Sequence, residues 1–348
     1  MSFVDLDKVI GVVPGAVVVR LRRVDTGRGS EALYRDQLPA LLTALTDRAR
    51  IESITASSAL EGVIVPDQAR AERIIAGKAG TLRNRSEQQL AGYRAALDYL
   101  FIQNWRPLNI GLLLHLHRLL FSETEGGGGS FKTSDNLVVD RWPDGSQTTR
   151  FVPVPANRTE YYTGELITRY NEARRSEKYH PLLLVGLFIL DALIIHPFDD
   201  GNGRVVRALT NALLDDAGYG VCKYVSMESL VEASADDYYA SLLDSTHEWQ
   251  NESHDPWPWL SYFVDVVARA YDTFEARAAA ETTGGTKQDR VRTYVTSHAP
   301  TEFSVSSVRR ALPGISDQTI RIVLEALKSE GVVAPQGTGR SATWKRRA

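Results

Sequence analysis

Twelve consecutive residues, HPFDDGNGRVVR at positions 196–207, hold one histidine, two aspartates, two glycines, one asparagine and two arginines. Gly201 and Gly203 let backbone amides approach a ligand closely and allow positive φ. A helix starting there has first amides without intrahelical acceptors, which makes an anion site. Arg204 and Arg207 are three apart and share a face of its first two turns. Cations at that end oppose the helix dipole, so the arrangement is unfavourable until a polyphosphate lies above it. Asp200 would repel phosphates unless a hard divalent cation stands between them, and Mg²⁺ accepts mixed carboxylate and phosphate oxygens. His196, neutral near pH 7, can take a proton from an incoming hydroxyl. Phe198 faces the core and pins the loop. A single histidine or a single Gly-Asn-Gly is ordinarily structural; base, metal ligand, anion nest and aligned arginines together are hard to explain as packing.

Helices must carry these groups. The run LLLVGLFILDALII, 182–195, is too short to span a bilayer and contains Asp191, so it reads as a buried helix that delivers His196. Helical spacing of apolar residues sets in from about residue 37 and runs to a stop at Gly62. It recurs over 67–76, 86–105, 109–121, 160–175, 181–195, 202–217, 227–247 and 257–280. The interruption GGGGSFKTSDNLVVDRWPDGSQTTRFVPVP opens with a glycine run expected to be mobile. NLVV and RFVPV then flank a Pro-Asp-Gly signal, a β-hairpin. After residue 280 a linker leads to helices at 289–298, 305–312 and 316–329. The third carries a stripe of Ile320, Val323, Leu324 and Leu327. The tail then alternates like two strands around QGTG. Three short helices and a β-wing form a winged-helix pattern. The expected fold is mainly α: a helical core with a small β-hairpin flap, plus a C-terminal winged helix-turn-helix domain. Its expected divisions are 1–105, 106–280, a linker at 281–287, and 288–348.

The chain has 348 residues, 43% of them hydrophobic and 24% charged, with a net charge of −3. That length exceeds one ordinary core, and that charge gives the whole chain no preference for polyanions. A single cysteine, Cys222, permits no internal disulfide, which suits a reducing cytoplasm. The first residues lack a basic segment ahead of their apolar patch, which argues against a signal peptide. A soluble cytoplasmic protein without membrane contact is expected. Residues 287–348 carry 11 Lys and Arg against 5 Asp and Glu, a local balance of +6 that leaves −9 for the rest.

The stretch 196–207 resembles the Fic signature, His-x-Phe-x-(Asp/Glu)-Gly-Asn-Gly-Arg-x-x-Arg, at every defined position. The resemblance implies a helical core that transfers AMP from ATP to a protein Ser, Thr or Tyr hydroxyl and releases pyrophosphate. It implies His196 as general base and Asp200 as Mg²⁺ ligand. Gly201, Asn202 and Gly203 would form the anion hole, with Arg204 and Arg207 on the outer phosphates and Val205 and Val206 between them in the ATP-binding segment. The hairpin at 136–154 would be the flap on which a hydroxyl-bearing target protein docks by strand pairing. DDYYASLL resembles the segment lining the adenine pocket; Tyr239 is either its base-contacting residue or a core aromatic.

Upstream, SSALEG places Ser57 and Glu61 four apart, on one helical face. It matches the inhibitory signature of regulated Fic proteins, (Ser/Thr)-x-x-x-Glu-(Gly/Asn), which implies that Glu61 pairs with Arg207. The glutamate would then occupy the place of the γ-phosphate and hold ATP in a pose unsuited to in-line attack. The resemblance spans roughly residues 38–280.

His115 and His117 are i, i+2 and lie on different helix faces, so they are taken as packing or surface residues. His247 and His254 have no ligand pattern around them, and WPWL at 257–260 reads as a hydrophobic anchor. In the tail, Gln318, Thr319 and Arg321 would be exposed on the third helix and Lys345, Arg346 and Arg347 near phosphates, so DNA contact by 288–348 is an alternative. A DNA-binding regulator with a nucleotide-sensing core, another phosphate-containing donor, removal of AMP assisted by Glu61, and homodimer formation all stay open at this stage.

Overall fold

Helices account for most of the chain, as the 3.6-residue spacing demands, and the strands are few and short. The computed structural model describes residues 1–37, 39–102, 104–141, 146–282, 286–312, 314–336 and 343–346. The Pro-Asp-Gly turn at 143–145, the linker residues 283–285, the wing tip at 337–339 and Arg347 lie outside them. Among the described residues no helix is long and apolar enough to cross a membrane. The chain forms two compact units, Met1–Thr26 with Ala49–Ala270, and Gly27–Arg48 with Tyr271–Ala348.

In order, the helices up to the hairpin are α1 (Leu6–Ile10), α2 (Gly15–Gln37), α3 (Pro39–Ala59), α4 (Gln68–Ile75), α5 (Arg85–Ile102) and α6 (Ile110–Leu120). Asp67 and Asn109 cap α4 and α6 by accepting backbone N–H groups with their side chains. Strands β1 (Val138–Arg141) and β2 (Gln147–Phe151) pair antiparallel with an irregularity between Val138 and Val139. Then come α7 (Ala156–Ser176), α8 (Pro181–Ile195), α9 (Asn202–Asp216), α10 (Met227–Glu232), α11 (Ala235–Asp244) and α12 (Trp257–Thr282).

The centre of the first unit is α8, of which nearly every residue is buried. It lies against α7 and α9, and α9 in turn packs on α5 and α6. The charge inside this apolar helix is satisfied: Asp191 accepts hydrogen bonds from the backbone and hydroxyl of Ser2 and from the Trp249 indole. Trp259, from the WPWL anchor, donates to the Gly186 carbonyl at 2.7 Å.

Two local expectations are corrected. The first 36 residues, not assigned to helix, form α1 and most of α2; a β-branched run and Gly27 and Gly29 hide that helix from propensity. Gly27 is there for space, since a β-carbon would strike the Tyr271 ring. The helix expected over 227–247 breaks into α10 and α11, where the Ser234 hydroxyl bonds the Leu230 carbonyl and competes with the backbone ladder. The end of the glycine run also lies against α6. Gly129 N–H donates to His117 Nδ1, and Gly128 lies so close to the His117 carbonyl that a side chain would collide.

The second unit contains α13 (Lys287–Thr293), β3 (Glu302–Ser304), α14 (Val305–Ala311), α15 (Asp317–Ser329), β4 (Val333–Gln336) and β5 (Thr343–Arg346). The three strands form one antiparallel sheet in the order β3-β5-β4. The short β3 has no signal in the sequence; it places Phe303 opposite Trp344, both buried. Ile320, Val323, Leu324 and Leu327 enter the same core, as their spacing requires.

Candidate active site

The chain turns sharply where α8 stops. His196 takes a left-handed conformation, φ 52° and ψ 62°, which costs a side-chain-bearing residue about 1–2 kcal/mol. Its amide still donates to Ala192, so the turn ends the helix and swings the ring out of the helical path. Nδ1 lies 3.1 Å from the Leu193 carbonyl. A carbonyl only accepts, so Nδ1 carries the proton and Nε2 keeps its lone pair. Burial, assisted by the charge of Lys132, lowers the His196 pKa to about 4, against the Leu193 hydrogen bond and the carboxylates of Glu61 and Asp200. The ring is therefore neutral at physiological pH, and its edge meets Phe151 of β2.

The following loop is tied down by its own side chains. Asn202 is buried and bonds Phe198 twice, accepting from its amide at 2.8 Å and donating to its carbonyl at 2.7 Å. Gly201 has φ 81°, and a β-carbon there would meet Leu120 and Phe121. Phe198 is fully buried and stacks on His117. The free amides of α9 thus point from a fixed turn. Val205 and Val206 pack into the core, as their neighbours on the inner face of α9 do.

Asp200 Oδ1 accepts from the Gly201 amide and from Arg204 Nη2 at 3.1 Å, while Oδ2 lies 3.8 Å from Arg85. About half of its side chain faces solvent. No group of three or more His, Cys, Asp or Glu that could hold a metal ion occurs among the described residues, so a cation at Asp200 would need waters and ligand oxygens to complete its shell. That donor set fits Mg²⁺, which keeps its waters and takes phosphate oxygens. Arg204 is 2% exposed, its guanidinium packs over Phe121, and its Nε and Nη1 have no hydrogen-bond partner. Each unmet buried donor costs about 1–3 kcal/mol, a cost that an anion at α9 would remove.

Arg207 is held from upstream through its Nε and Nη2. Its Nη2 donates to Glu61 Oε1 at 2.6 Å and to the Ser57 carbonyl, and its Nε donates to the Ser57 hydroxyl at 2.9 Å. Burial is the largest single influence and opposes the Arg207 charge, but the charge and hydrogen bond of Glu61 together with Tyr238 and Tyr93 exceed it, so its pKa is raised. The Glu61 carboxylate also lies against Gly203; a β-carbon there would collide with Glu61 Oε1 and Arg207 Nη1. A carboxylate of the same chain thus lies against the first turn of α9.

His196, Gly203, Arg207, Glu61 and Tyr239 line one cavity of about 320 Å³, together with Val138, Arg150 and Phe151 of the hairpin and Leu193, Leu242 and Leu243. That volume lies in the range of small-molecule sites. Tyr239 OH is 3.4 Å from the Leu60 carbonyl, and the Arg150 guanidinium sits 4.4 Å over its ring. Of the residues expected at the site, Ser57, Asp200, Gly201, Asn202, Arg204, Val205 and Val206 do not line this cavity.

Four residues at or near this site carry no functional signal in the sequence. Arg150 reaches it only through hairpin pairing. His117, taken for packing, is a linchpin: Nδ1 accepts from Gly129, so Nε2 donates to the Asp200 carbonyl at 3.1 Å. Burial lowers its pKa. Lys132 and Asn136 bond carbonyls on both sides of His196. Nothing periodic marks them, because each acts on a partner far along the chain.

Residues 107–214 match the Fic/DOC family. A protein adenylyltransferase Fic of Nematostella vectensis is 23% identical over 197 residues, 54% of this chain and 40% of that protein. Another, of Drosophila grimshawi, is 29% identical over 134 residues, 38% of this chain and 26% of that protein. The chain thus spans less than half the length of these curated relatives. Among solved structures, a Fic family protein from Desulfovibrio desulfuricans G20 superposes with a TM-score of 0.61 over 97% of both chains at 19% identity. Fic-1 (residues 134–508) of C. elegans gives 0.53 over 76% of this chain and 74% of that one at 18% identity. At these identities the likeness concerns the fold.

Proposed function

We propose that this chain, which carries a Fic domain over residues 107–214, is an autoinhibited protein adenylyltransferase that transfers AMP from ATP to Ser, Thr or Tyr hydroxyls of target proteins and of itself. The observation that carries the reading is the Glu61–Arg207 pair at 2.6 Å, seated against Gly203 beside a neutral histidine. A site for phosphate is there, and a carboxylate of the same chain fills it.

The residues divide the work. His196 Nε2 accepts the proton of the incoming hydroxyl; the oxygen attacks the α-phosphorus, its bond to pyrophosphate breaks, and pyrophosphate leaves. The α9 amides at Gly203 and the unpartnered Nε and Nη1 of Arg204 offer donors to phosphate oxygens. Arg207 joins them once Glu61 withdraws. Asp200 would hold Mg²⁺, which supplies positive charge against the phosphates when bound. Tyr239, Leu242 and Leu243 offer the base an aromatic and apolar wall, and the hairpin offers an open strand edge to a target. Ser57 and Glu61 act as the inhibitory pair.

The test is incorporation of α-labelled ATP with Mg²⁺. Glu61→Gly protein gains label on itself at least tenfold over the unaltered protein, mass spectrometry finds an AMP adduct on a hydroxyl side chain, and His196→Ala in the same background gains none. No label above the unaltered protein in Glu61→Gly rejects the autoinhibition. An adduct other than AMP redirects the donor, and loss of AMP from a pre-modified substrate redirects the reaction to removal.

The competing reading is a winged-helix DNA regulator, based on the +6 balance of residues 287–348. Four of those cations are already paired, Arg292 with Glu330, Arg309 with Asp317, Lys328 with Glu325 and Lys345 with Glu302. That leaves a weak electrostatic footprint, and the enzyme reading is preferred. Duplex DNA binding by the full chain at about 150 mM salt, with no labelling by Glu61→Gly, would reverse the ranking.

A further inference from the structure

The left-handed backbone at His196 requires support from outside its own segment, and that support comes from the root of the hairpin. The Lys132 amide donates to the Pro197 carbonyl at 3.0 Å. Lys132 Nζ donates to the Ile195 carbonyl at 3.4 Å and to Asn136 Oδ1 at 2.8 Å. Asn136 Nδ2 completes the clamp on the Phe198 carbonyl at 3.0 Å. Carbonyls immediately before and after His196 are therefore both held from a segment that leads directly into β1. Phe131, one residue before the lysine, stacks on Phe198.

A lysine is a costly way to fill this space. Its side chain is buried, 3% exposed for the residue, and burial draws its pKa down to about 8 while Asp135 and Asp199 oppose the loss of charge. An apolar residue would pack there without that penalty. What an ammonium supplies, and an apolar side chain cannot, is donors to both the Ile195 carbonyl and Asn136 Oδ1 at once, together with positive charge beside the neutral ring of His196.

We propose that Lys132 and Asn136 are positioning residues, clamping the backbone on both sides of His196 in its left-handed turn and thereby tying the seating of the hairpin to the aim of the catalytic ring. The role rests on the adenylyltransferase reading only in what the ring then does; the clamp itself is a property of the fold. Tension on β1 when a target strand pairs with it reaches His196 through Asn136 and Lys132 with no intervening loop.

The experiment uses the full chain carrying Glu61→Gly, with Lys132→Met or Asn136→Ala added. Nitrogen-15 histidine spectra report the state of the ring directly, the His196 signals being those lost in His196→Ala. In the parent they show one tautomer, protonated at Nδ1. In each added variant they broaden or move to a mixture, and with Lys132→Met the ring protonates at higher pH. In labelling assays kcat falls tenfold or more, while KM for ATP changes less than threefold and the melting temperature holds. Unchanged His196 signals overturn the proposal, as does a rise in KM with kcat intact. If the Glu61→Gly parent transfers no AMP, the reaction assignment fails while the spectra still decide the clamp. Should Lys132→Met not fold, Asn136→Ala, which leaves the lysine in place, carries the test alone.

Discussion

At the scale of single residues, the chemistry depends on which groups have partners. Arg207 has three acceptors from Ser57 and Glu61, whereas Arg204 has two donors with none. Removing one acceptor should therefore loosen the inhibition without abolishing it. Ser57→Ala deletes one buried hydrogen bond worth about 1 kcal/mol, and we expect labelling to rise roughly fivefold, less than for Glu61→Gly. Gly203→Ala puts a methyl where the Glu61 carboxylate now sits. In a Glu61→Gly background the same methyl meets the phosphate, so transfer should be lost while the melting temperature stays within about 3 °C. The pH profile tests the base. With its pKa lowered to about 4, His196 is deprotonated through the neutral range, so kcat/KM should be flat from about pH 5.5 to 8 and fall only toward pH 4. An acid limb near the ordinary histidine value of about 6.5 would mean that His196 is not the base, or not buried. The motif residues were legible in the sequence because their types and spacing form a pattern on one helix end. Arg150, Lys132 and Asn136 were not, since each is polar in a polar stretch and gains its meaning from a partner far along the chain.

At the scale of elements, α8 presents His196, the proposed base, the start of α9 presents the amides, and the end of α3 with the turn after it presents Glu61, the proposed inhibitor. A buried polar chain fastens α3 in place: Ser53 bonds Ser226, and Glu228, near it on α10, accepts from Tyr93 on α5 and Asn211 on α9. Helix α6 has a less visible part. Its His117 ties the glycine run to the loop before α9, so the run's close approach is structural. His117→Phe keeps a ring to stack on Phe198 and leaves the Gly129 amide and the Asp200 carbonyl unpaired. A loss of about 1–3 kcal/mol follows, read as a lower denaturant midpoint with unchanged m-value, and transfer should fall because Asp200 is no longer held. Helix positions were readable where an apolar period was continuous, as in α8 and α15. They were not where serine hydroxyls broke the ladder between α10 and α11, or where glycine and β-branched residues disguised α2.

For the molecule as a whole, histidines whose pKa burial lowers make stability depend on pH, His117 in the same direction as the two that follow. His196 and His254 are both lowered to about 4, chiefly by burial. The unfolded chain takes up these protons near pH 6.5, the native one near 4. Stability is thus full above about 6.5 and declines as pH falls toward 4, each histidine removing about 1.4 kcal/mol for every pH unit between its unfolded and native pKa values. Thermal melts of the unaltered protein from pH 8 to 4 should show this loss begin near pH 6.5. His254→Phe should flatten part of it, at the expense of the contact between His254 and the Ser2 hydroxyl. What the amino-acid sequence determined by itself was the helical class, and from local pattern it nominated the start of α9 as a phosphate site, the histidine before it as a base, and a glutamate one helical turn after a serine. Hydrophobic period, capping residues and charge on a helix end act over a few residues, so they can be read in order along the chain. What the tertiary structure added was the geometry of the pairing that the upstream motif implied, and partnerships such as the Lys132 clamp that no motif implied. Glu61 lies 146 residues from Arg207, and Lys132 lies 63 from the carbonyl it holds. Such contacts depend on how α3, α8, α9 and the hairpin root pack, which no local spacing specifies.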